Sequence, residues 1–389
     1  MFKSGSTSLV KDLNQQHVLN LVRMHPGISA SEIQRATKLQ MSTISYTLRA
    51  LKAQGVIQEI GYGDSTVQGG KPPLLWDLAP AYGQVIGIEF IPKEIRLVLL
   101  DFSTTVRFQQ IYPVHLRRHD NHLEAELCRI ITQVLAEQRI APEHVLGVGV
   151  SIPGLIDSQR GVIHYSYAFG VKALPLRDLV QRHFRFPIEI GNDANAGALG
   201  IKWLSRTEHL VPHILYVTIN QDARGIGAGL IINHELFDGA HGCAGEMAAF
   251  LPAVKRRRLL TQAEDKFGRK AGILQRLQAL ELASIPVAEV VTAAAQGEEA
   301  AIYVLREIAK EIGTRLVQLI DLFDPHTVVI GGDICGAEKF ISKIIQHRIA
   351  RLVIADCNRN VPVQFSPFGI YSVAMGSTAL ILQRIFRPQ

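Results

Sequence analysis

The stretch IGIEFIPKEIRLVLLDF, Ile86 to Phe102, guides the fold prediction because it predicts two apolar strands joined by a tight turn. The predicted turn, Phe90 to Glu94, contains a proline and two long charged side chains. From Tyr82 onward, apolar strands alternate with amphipathic helical segments, which is the pattern of an α/β fold. We therefore expect an α/β body whose first hairpin lacks the glycines typical of a phosphate-binding turn.

The same alternation continues through the rest of the sequence. The segment from Pro187 to Gly200 predicts a strand that runs directly into a helix, and ILYVTIN with GIGAGLIIN predicts a hairpin. A long helix is expected from Tyr303 to Phe323. The other predicted elements are a helix at His122–Gln138, a buried strand in VLGVGVSIPG, a strand in TVVIGGDI and a closing helix from about Ala374.

Composition indicates a globular protein with an ordinary core. The 389 residues are 47% hydrophobic and 20% charged, and no apolar run approaches the roughly 20 residues that span a bilayer. The N-terminal segment lacks the apolar core of a secretory signal, so a cytoplasmic location is expected. The cysteines form no CxxC pair, which argues against a disulfide framework or a cysteine-rich zinc site.

The first eighty residues predict a unit of their own. A helical stripe from Ser8 to Met24 is followed by a capping box of Ser29 and Glu32, which starts a second helix. A third helix is expected from Met41 to Gln54, and a hairpin with a long polar loop follows it. Three short helices and such a hairpin are typical of a winged helix-turn-helix, so residues 1–80 are predicted to be a DNA-binding domain.

The polar face of the third helix is the predicted DNA-reading surface. Small hydroxyl side chains, a tyrosine and an arginine can donate to phosphates and base edges without filling the major groove. The candidates are Ser42, Thr43, Ser45, Tyr46 and Arg49 on the helix, with Gln68 and Lys71 in the wing loop. The alternative is a helical protein-interaction module whose polar face is simply solvated. A second basic cluster, residues 255–258, is interpreted as a solvated helix face.

Several segments, in their order and spacing, resemble the ROK family of repressors, open reading frames and kinases. They are SIPGLID, GNDANAGALG, GIGAGLIINHELFDGAHGCAGE and GGDI in the body, and GGKPP at residues 69–73, which matches the segment that closes the wing in the family's regulators. The resemblance covers nearly the whole chain. It implies an actin-like, two-lobed body of the ribonuclease H-like type at residues 81–389, with a sugar cleft between the lobes and the winged helix-turn-helix in front.

The resemblance also implies roles in this cleft. Asp193 matches the family's catalytic base, Asn192 and Glu246 match sugar ligands, and Gly154 lies in the segment of the cleft wall. A base and hydrogen-bonding groups are what phosphorylation of a sugar hydroxyl requires. Two local alternatives stay open, namely Asp193 as the N-cap of the following helix and Glu246 as a surface carboxylate near a turn.

Two phosphate loops depart from the family pattern. Where active members carry Asp-x-Gly-Gly-Thr, this chain has residues 89–93, Glu-Phe-Ile-Pro-Lys, in which proline lacks an N–H donor and side chains fill the space of a phosphate. The second loop, usually Gly-Thr-Gly-Ile-Gly, reads Ala-Arg-Gly-Ile-Gly at residues 223–227, and the carboxylate of Asp222 precedes it. The chain is therefore expected not to be an enzyme, with no catalytic residue in use and no cofactor.

The zinc module of the family is missing from the sequence as well. Members often follow Gly-Glu with a histidine and a cysteine-rich loop whose ligands suit tetrahedral zinc. Here Glu246 is followed by Met247-Ala248-Ala249-Phe250, with Ala249 in the place of the histidine. No metal site is expected, and the missing histidine leaves the identity of the sugar open.

These observations predict a transcriptional regulator, specifically a repressor of carbohydrate uptake or metabolism genes whose body senses a sugar or sugar derivative. Its expected partners are double-stranded operator DNA, the small-molecule effector and a second copy of the chain, because palindromic operators are read by two-fold symmetric proteins. Two alternatives remain: an ATP-dependent sugar kinase with an accessory DNA-binding domain, and a regulator controlled by a protein partner.

Overall fold

An N-terminal helical unit precedes two lobes, each of which contains a five-stranded sheet. This computed structural model describes residues 7–64, 72–114, 116, 122–205, 211–219, 226–247, 252–269, 272–280, 285–354, 356 and 360–386. Among the residues in these ranges, no helix is both long and apolar enough to cross a bilayer.

Within residues 7–64 and 72–78, the N-terminal unit contains three helices and three strands. They are α1 (Thr7–Met24), β1 (Ile28–Ser29), α2 (Ala30–Thr37), α3 (Met41–Ala53), β2 (Ile57–Tyr62) and β3 (Leu74–Leu78). The strands pair antiparallel in the order β1-β3-β2. The predicted capping box is confirmed, since Ser29 Oγ accepts the Glu32 N–H and the Glu32 carboxylate accepts the Ser29 N–H at 2.8 Å. The predicted winged-helix fold is therefore present.

The first lobe consists of one mixed sheet with a small antiparallel sheet beside it. The strands and helices are β4 (Gln84–Ile91), β5 (Glu94–Asp101), β6 (Val106–Pro113), α4 (Leu123–Glu137), β7 (Val145–Ile152), β8 (Leu155–Asp157), β9 (Val162–Ser166), β10 (Val171–Leu174), α5 (Leu176–Gln181) and β11 (Ile188–Asn192). The large sheet has the order β11-β7-β4-β5-β6, and the small one has the order β10-β9-β8. Strand β7 is parallel to both β4 and β11, whereas β4 and β5 form the predicted antiparallel hairpin.

The turn of this hairpin is shorter than predicted. Ile91 pairs with Glu94 across the hairpin, so the turn consists of Pro92 and Lys93 alone. Phe90 and Ile91 continue β4 and are buried. The prediction of a turn from Phe90 to Glu94 was wrong because this strand is buried on both faces, and its apolar residues continue up to the proline.

The second lobe carries a sheet with several helices packed together beside it. Its elements are α6 (Asp193–Leu204), β12 (Ile214–Thr218), β13 (Gly227–Ile232), β14 (Glu235–Leu236), α7 (Ala253–Phe267), α8 (Gly272–Ala279), α9 (Val287–Ala295), α10 (Glu299–Phe323), β15 (Thr327–Gly331), α11 (Glu338–Leu352), β16 (Val363–Phe365) and α12 (Ser372–Phe386). The sheet order is β14-β13-β12-β15-β16. One apolar core contains side chains from all of α7 to α11, and the predicted β12–β13 hairpin is confirmed.

Two helices, α6 and α12, connect the lobes. Helix α12 packs on β4 and β7 of the first lobe, whereas α6 packs on β12 and β13 of the second. The two helices approach each other through glycines: a Cβ on Gly376 would lie 2.0 Å from the Ala196 carbonyl oxygen, and a Cβ on Gly200 would lie 2.7 Å from Gly376 Cα. No larger residue fits at these positions, so α6 and α12 form one closely packed pair.

Candidate functional site

The first polar group of the candidate site is Asn192, at the junction of β11 and α6. Its Oδ1 accepts the N–H of Asn195 at 3.0 Å, and its Nδ2 donates to the carbonyl of Gly154 at 2.9 Å. Asn192 is therefore the N-cap of α6. The alternative that Asp193 is the cap was wrong by one residue, because the extended backbone of Asn192 places its own side chain over the helix end.

Two carboxylates follow at the same end of α6. Asp193 is mostly buried, its Oδ1 accepts the Ala194 N–H at 2.9 Å, and burial raises its pKa. Partial burial and the negative charge of Asp193 raise the pKa of Glu246, whose side chain reaches solvent. Gly227 lies beside both: its backbone bridges to Glu246, and a Cβ on it would lie 3.8 Å from Asp193 Oδ1. The structure thus brings Gly154, Asn192, Asp193 and Glu246 to one end of α6.

Another polar contact at this end was not predicted. Asn195, one turn into α6, donates from Nδ2 to Asp238 Oδ1 at 3.1 Å and is 9% exposed. The spacing of Asn192 and Asn195 puts both on one face of the helix, which is the sequence signal that could have identified Asn195. Hydrogen-bonding groups therefore continue from the helix end along its first turn.

A largely buried cluster of four ionisable residues joins the two lobes near this site. Arg96 on β5 is 3% exposed. Its guanidinium forms ion pairs with Glu94 Oε1 at 2.6 Å and with Asp333 Oδ1. Asp333 follows β15 in the second lobe. Glu89 Oε2, fully buried on β4, lies 3.5 Å from Arg96 Nη1. The same Nη1 donates to the Ile370 carbonyl at 3.1 Å, two residues before α12. One guanidinium thus holds both lobes and the segment that leads into α12.

Part of this cluster could have been found in the sequence. Glu89 and Arg96 are directly opposite each other in the β4–β5 hairpin, and Glu94 lies two residues before Arg96 on the same face of the strand. A turn placed at Pro92 and Lys93 would have predicted both contacts of Arg96, with Glu89 and with Glu94. Asp333 belongs to the GGDI segment, and no local pattern predicts its contact with Arg96, which spans 237 residues.

Glu89 is expected to be protonated at neutral pH. Burial raises its pKa to about 8, although Arg96 opposes the shift. The ordinary pKa is 4.5, so the folded state binds this proton more tightly than the unfolded chain. The contribution of Glu89 to the free energy of unfolding is therefore fully retained below about pH 4.5 and falls as the pH rises toward 8.

Glu89→Gln is expected to reduce this pH dependence. The amide mimics the protonated carboxyl group, so stability near pH 5 should stay within about 1 kcal/mol of the wild type, and the decline toward pH 8 should become shallower. Urea denaturation between about pH 5 and pH 8 measures how the free energy of unfolding depends on pH. Glu143→Gln, at an exposed position, is the control. Parallel pH curves for the wild type and Glu89→Gln would show that Glu89 does not titrate in this window.

The predicted DNA-reading face lies on α3, opposite its buried side. Ile44, Thr47, Leu48 and Leu51 are buried, whereas Ser42, Tyr46 and Arg49 are exposed and Thr43 and Ser45 are half-buried. Tyr46 is 53% exposed, and Arg49 Nε donates to the Ser45 carbonyl at 3.1 Å. The five helix candidates therefore lie on the side of α3 that faces away from the core.

Several predicted positions lie outside the described residues. They are Gln68 and Lys71 of the wing, Asp222, Ala223, Arg224 and Gly225 of the second phosphate loop, and Ala249 at the place of the family's histidine. Within the described ranges, no group of three or more histidine, cysteine, aspartate or glutamate side chains is arranged to hold a metal ion.

Comparison with known proteins identifies the family. Residues 85–384 match the family model described as the ROK family. The chain belongs to the ROK family. The xylose repressor of Caldicellulosiruptor bescii is 28% identical over 396 residues, which cover 97% of each protein. The DNA-binding transcriptional dual regulator NagC of Escherichia coli K12 is 26% identical over 389 residues, which cover 97% of this chain and 94% of NagC.

Solved structures show the same ROK fold. A ROK family transcriptional regulator described as a homologue of the E. coli MLC protein superposes with a TM-score of 0.74 at 21% identity, over 97% of each chain. A ROK family glucokinase from Streptomyces griseus, in complex with glucose and AMPPNP, superposes with a TM-score of 0.64 at 21% identity. That match covers 77% of this chain and 100% of the glucokinase. The predicted actin-like ROK fold is confirmed.

Proposed function

We propose that this ROK-family chain is a DNA-binding transcriptional repressor that responds to a sugar. The observation that carries the proposal is the match over 97% of the chain to proteins named as repressors. By contrast, the glucokinase of the same fold matches 77% of this chain. The N-terminal unit presents an exposed polar face on α3, which is what reading a major groove requires.

The cleft suits an uncharged sugar better than a sugar phosphate. In the part of the cleft that is described, the groups at the start of α6 are the amide of Asn192 and the carboxylates of Asp193 and Glu246. Amide and carboxylate groups exchange hydrogen bonds with hydroxyls. The charge of Asp193 already raises the cost of ionising Glu246, so a phosphate on the ligand would meet further repulsion.

The same geometry argues against phosphoryl transfer. ATP needs backbone N–H groups and a cation at its phosphates, whereas the hairpin turn here is Pro92-Lys93 and the nearby guanidinium of Arg96 is held by carboxylates. We infer that the body is not a kinase, although Asp193 keeps the position of the catalytic base. An ADP-release assay with common hexoses and their N-acetyl forms tests this; turnover of about 1–100 s⁻¹, as in ordinary kinases, would contradict it.

Operator binding is expected to involve two copies of the chain. Two-fold symmetric proteins read palindromic half-sites about one helical turn apart, and one winged helix covers one half-site. The DNA contacts proposed for each copy are Ser42, Thr43, Ser45, Tyr46 and Arg49 of α3, together with Gln68 and Lys71 of the wing.

Selection of genomic DNA fragments by the full-length protein tests the DNA-binding part of the proposal. At low and at physiological salt, we expect recovery of a small set of fragments whose affinity falls as salt rises, because phosphate contacts release counterions. Recovery of the same fragments at physiological salt separates specific from general electrostatic binding. No retained DNA even at low salt would contradict the proposal.

Asp193→Asn is expected to weaken sugar binding at least about tenfold, because a charge-assisted hydrogen bond to a hydroxyl is replaced by a neutral one. The change keeps the shape of the side chain and removes a group whose ionisation burial opposes, so thermal stability should not fall. Isothermal calorimetry with D-xylose and N-acetyl-D-glucosamine measures the affinity. Asp178→Asn, exposed on α5, is the matched control. Equal affinity in both variants would place the sugar elsewhere.

A further inference from the structure

Helix α1 of the winged-helix unit caps the C-terminal ends of both central helices. Arg23, in its last turn, donates from Nη1 to the carbonyl of Trp203 at 3.1 Å, and Trp203 is in the last turn of α6. Asn20 donates from Nδ2 to the carbonyl of Phe386, the last residue of α12, at 2.8 Å. Carbonyls at such positions have no partner within their own helix. Two side chains of one helix therefore satisfy the ends of two others.

Arg23 also packs against the aromatic residues at these helix ends. Its guanidinium carbon lies 4.4 Å from the ring centre of Trp203 and 5.4 Å from that of Phe386, and the two rings are 6.2 Å apart. Burial lowers the pKa of Arg23 to about 10, so the side chain stays charged at neutral pH. A cation is favourable both over an aromatic face and at the C-terminal end of a helix. Arg23 therefore fixes α1 to both helix ends at once.

The other ends of the same helices lie at the candidate sugar site and at the Arg96 cluster. Helix α6 starts at Asp193, beside Glu246. Helix α12 starts two residues after Ile370, which Arg96 holds together with Asp333. At 1.5 Å per residue, the 12 residues of α6 and the 15 residues of α12 extend about 18 Å and about 22 Å. Each helix thus runs without interruption from this region to α1.

Close backbone packing joins these two helices at one contact. The contacts of Gly376 with Ala196 and of Gly200 with Gly376 leave no space in which one helix could slide without the other. Helix α1 in turn packs on α3, whose exposed face is the predicted DNA-reading surface. A shift of the lobes at the cleft therefore has a direct mechanical route to α3.

We propose that Arg23 and Asn20 are the positioning residues that couple the sugar cleft to the winged helix. The inference rests on the proposed function, because it requires that cleft occupancy controls DNA binding. When the lobes close on a sugar, α6 and α12 pivot about their close glycine contact, and their capped ends carry α1 and α3 with them. Neither residue touches sugar or DNA in this account, so their substitution changes the communication between the sites and leaves both sites intact.

The first test compares full-length wild type with Arg23→Ala, Arg23→Lys and His17→Ala. His17 is exposed on α1 and serves as the control. Affinity for a selected operator fragment is measured with and without D-xylose or N-acetyl-D-glucosamine. We expect the active sugar to change wild-type affinity by about 5–150-fold, and this factor to fall to about 1 in Arg23→Ala and to recover in part in Arg23→Lys.

Two outcomes of this first test are decisive. If Arg23 were only structural, Arg23→Ala would weaken DNA binding equally with and without sugar, and the factor would remain that of the wild type. That result would overturn the proposal. By reciprocity, the effect of DNA on sugar affinity should disappear in Arg23→Ala as well, which calorimetry measures independently.

A second test needs neither sugar nor DNA. The chain has two tryptophans, so Trp76→Phe leaves Trp203 as the only one. In this background, Asp333→Asn weakens the bond between the lobes, and we expect greater acrylamide quenching of Trp203 than in the parent or in an Asp178→Asn control. Unchanged quenching would overturn the coupling. If the quenching of Trp203 changes but no sugar affects operator binding, the lobes are coupled to α1 and the sugar-sensing function is rejected.

Discussion

Replacing Arg96 by methionine is expected to lower the free energy of unfolding by about 3–5 kcal/mol. Methionine retains much of the apolar volume, so the loss reports mainly the missing charge. Arg96 is 3% exposed, and without it the carboxylates of Glu94 and Asp333 face each other in a region that excludes most water. A buried charge without a partner is among the largest destabilising effects that one substitution causes.

Urea denaturation at neutral pH, followed by circular dichroism, measures the effect of Arg96→Met. The matched control is Arg129→Met on α4, where the arginine is 51% exposed and pairs with Glu126 three residues away. Its expected cost is about 0–1 kcal/mol, as for other exposed pairs. A loss of similar size in both variants would mean that the Arg96 cluster does not hold the lobes together.

A second arginine variant keeps this test decisive if Arg96→Met does not fold. Arg96→Lys retains a positive charge but has one nitrogen in place of the planar fork that bonds Glu94, Asp333 and Ile370. We expect a smaller loss of stability than for methionine. Wild-type stability in Arg96→Lys would show that charge alone is sufficient and that the fork geometry contributes little.

The double substitution Tyr46→Ala with Arg49→Ala is expected to weaken operator binding by about 2–6 kcal/mol, since each base contact typically contributes about 1–3 kcal/mol. Both side chains are exposed on α3, and Tyr46 is 53% exposed, so the fold should retain its thermal stability. Fluorescence anisotropy with a selected operator fragment measures the change. The substitution should also reduce discrimination against unrelated DNA.

Arg257→Ala is the matched control for this double variant, because it removes one positive charge from the exposed side of α7 in the body. It should change operator affinity little, since that surface lies on a different part of the chain. Equal loss of affinity in the two proteins would indicate a general charge effect. Unchanged affinity in the double variant would move the DNA-reading surface away from α3.

Local sequence patterns predicted much of the fold. The capping box at Ser29, the strand-to-helix junction at Asn192 and the alternation of strands and helices each depend on residues within a few positions of one another. The placement of the N-cap was wrong by one residue because Asn192 and Asp193 are both good caps, and only the backbone angles distinguish them.

The features that join distant parts of the chain could not be read from local patterns. The contact of Arg96 with Asp333 spans 237 residues, that of Arg23 with Trp203 spans 180, and that of Asn20 with Phe386 spans 366. Each depends on how helices and lobes pack, and no periodicity in the sequence encodes such pairs. Arg23 in particular lies in the last turn of α1, where basic residues are common, and no local pattern distinguishes it.

Control of DNA binding by a sugar is tested by the operator affinity of the full-length protein with and without sugar. With a selected operator fragment, we expect D-xylose, N-acetyl-D-glucosamine or another uncharged sugar to lower affinity by about 5–150-fold, and we expect Asp193→Asn to require at least about tenfold more sugar for the same effect. Operator affinity that no sugar alters, in a protein that binds the operator specifically, would contradict the account.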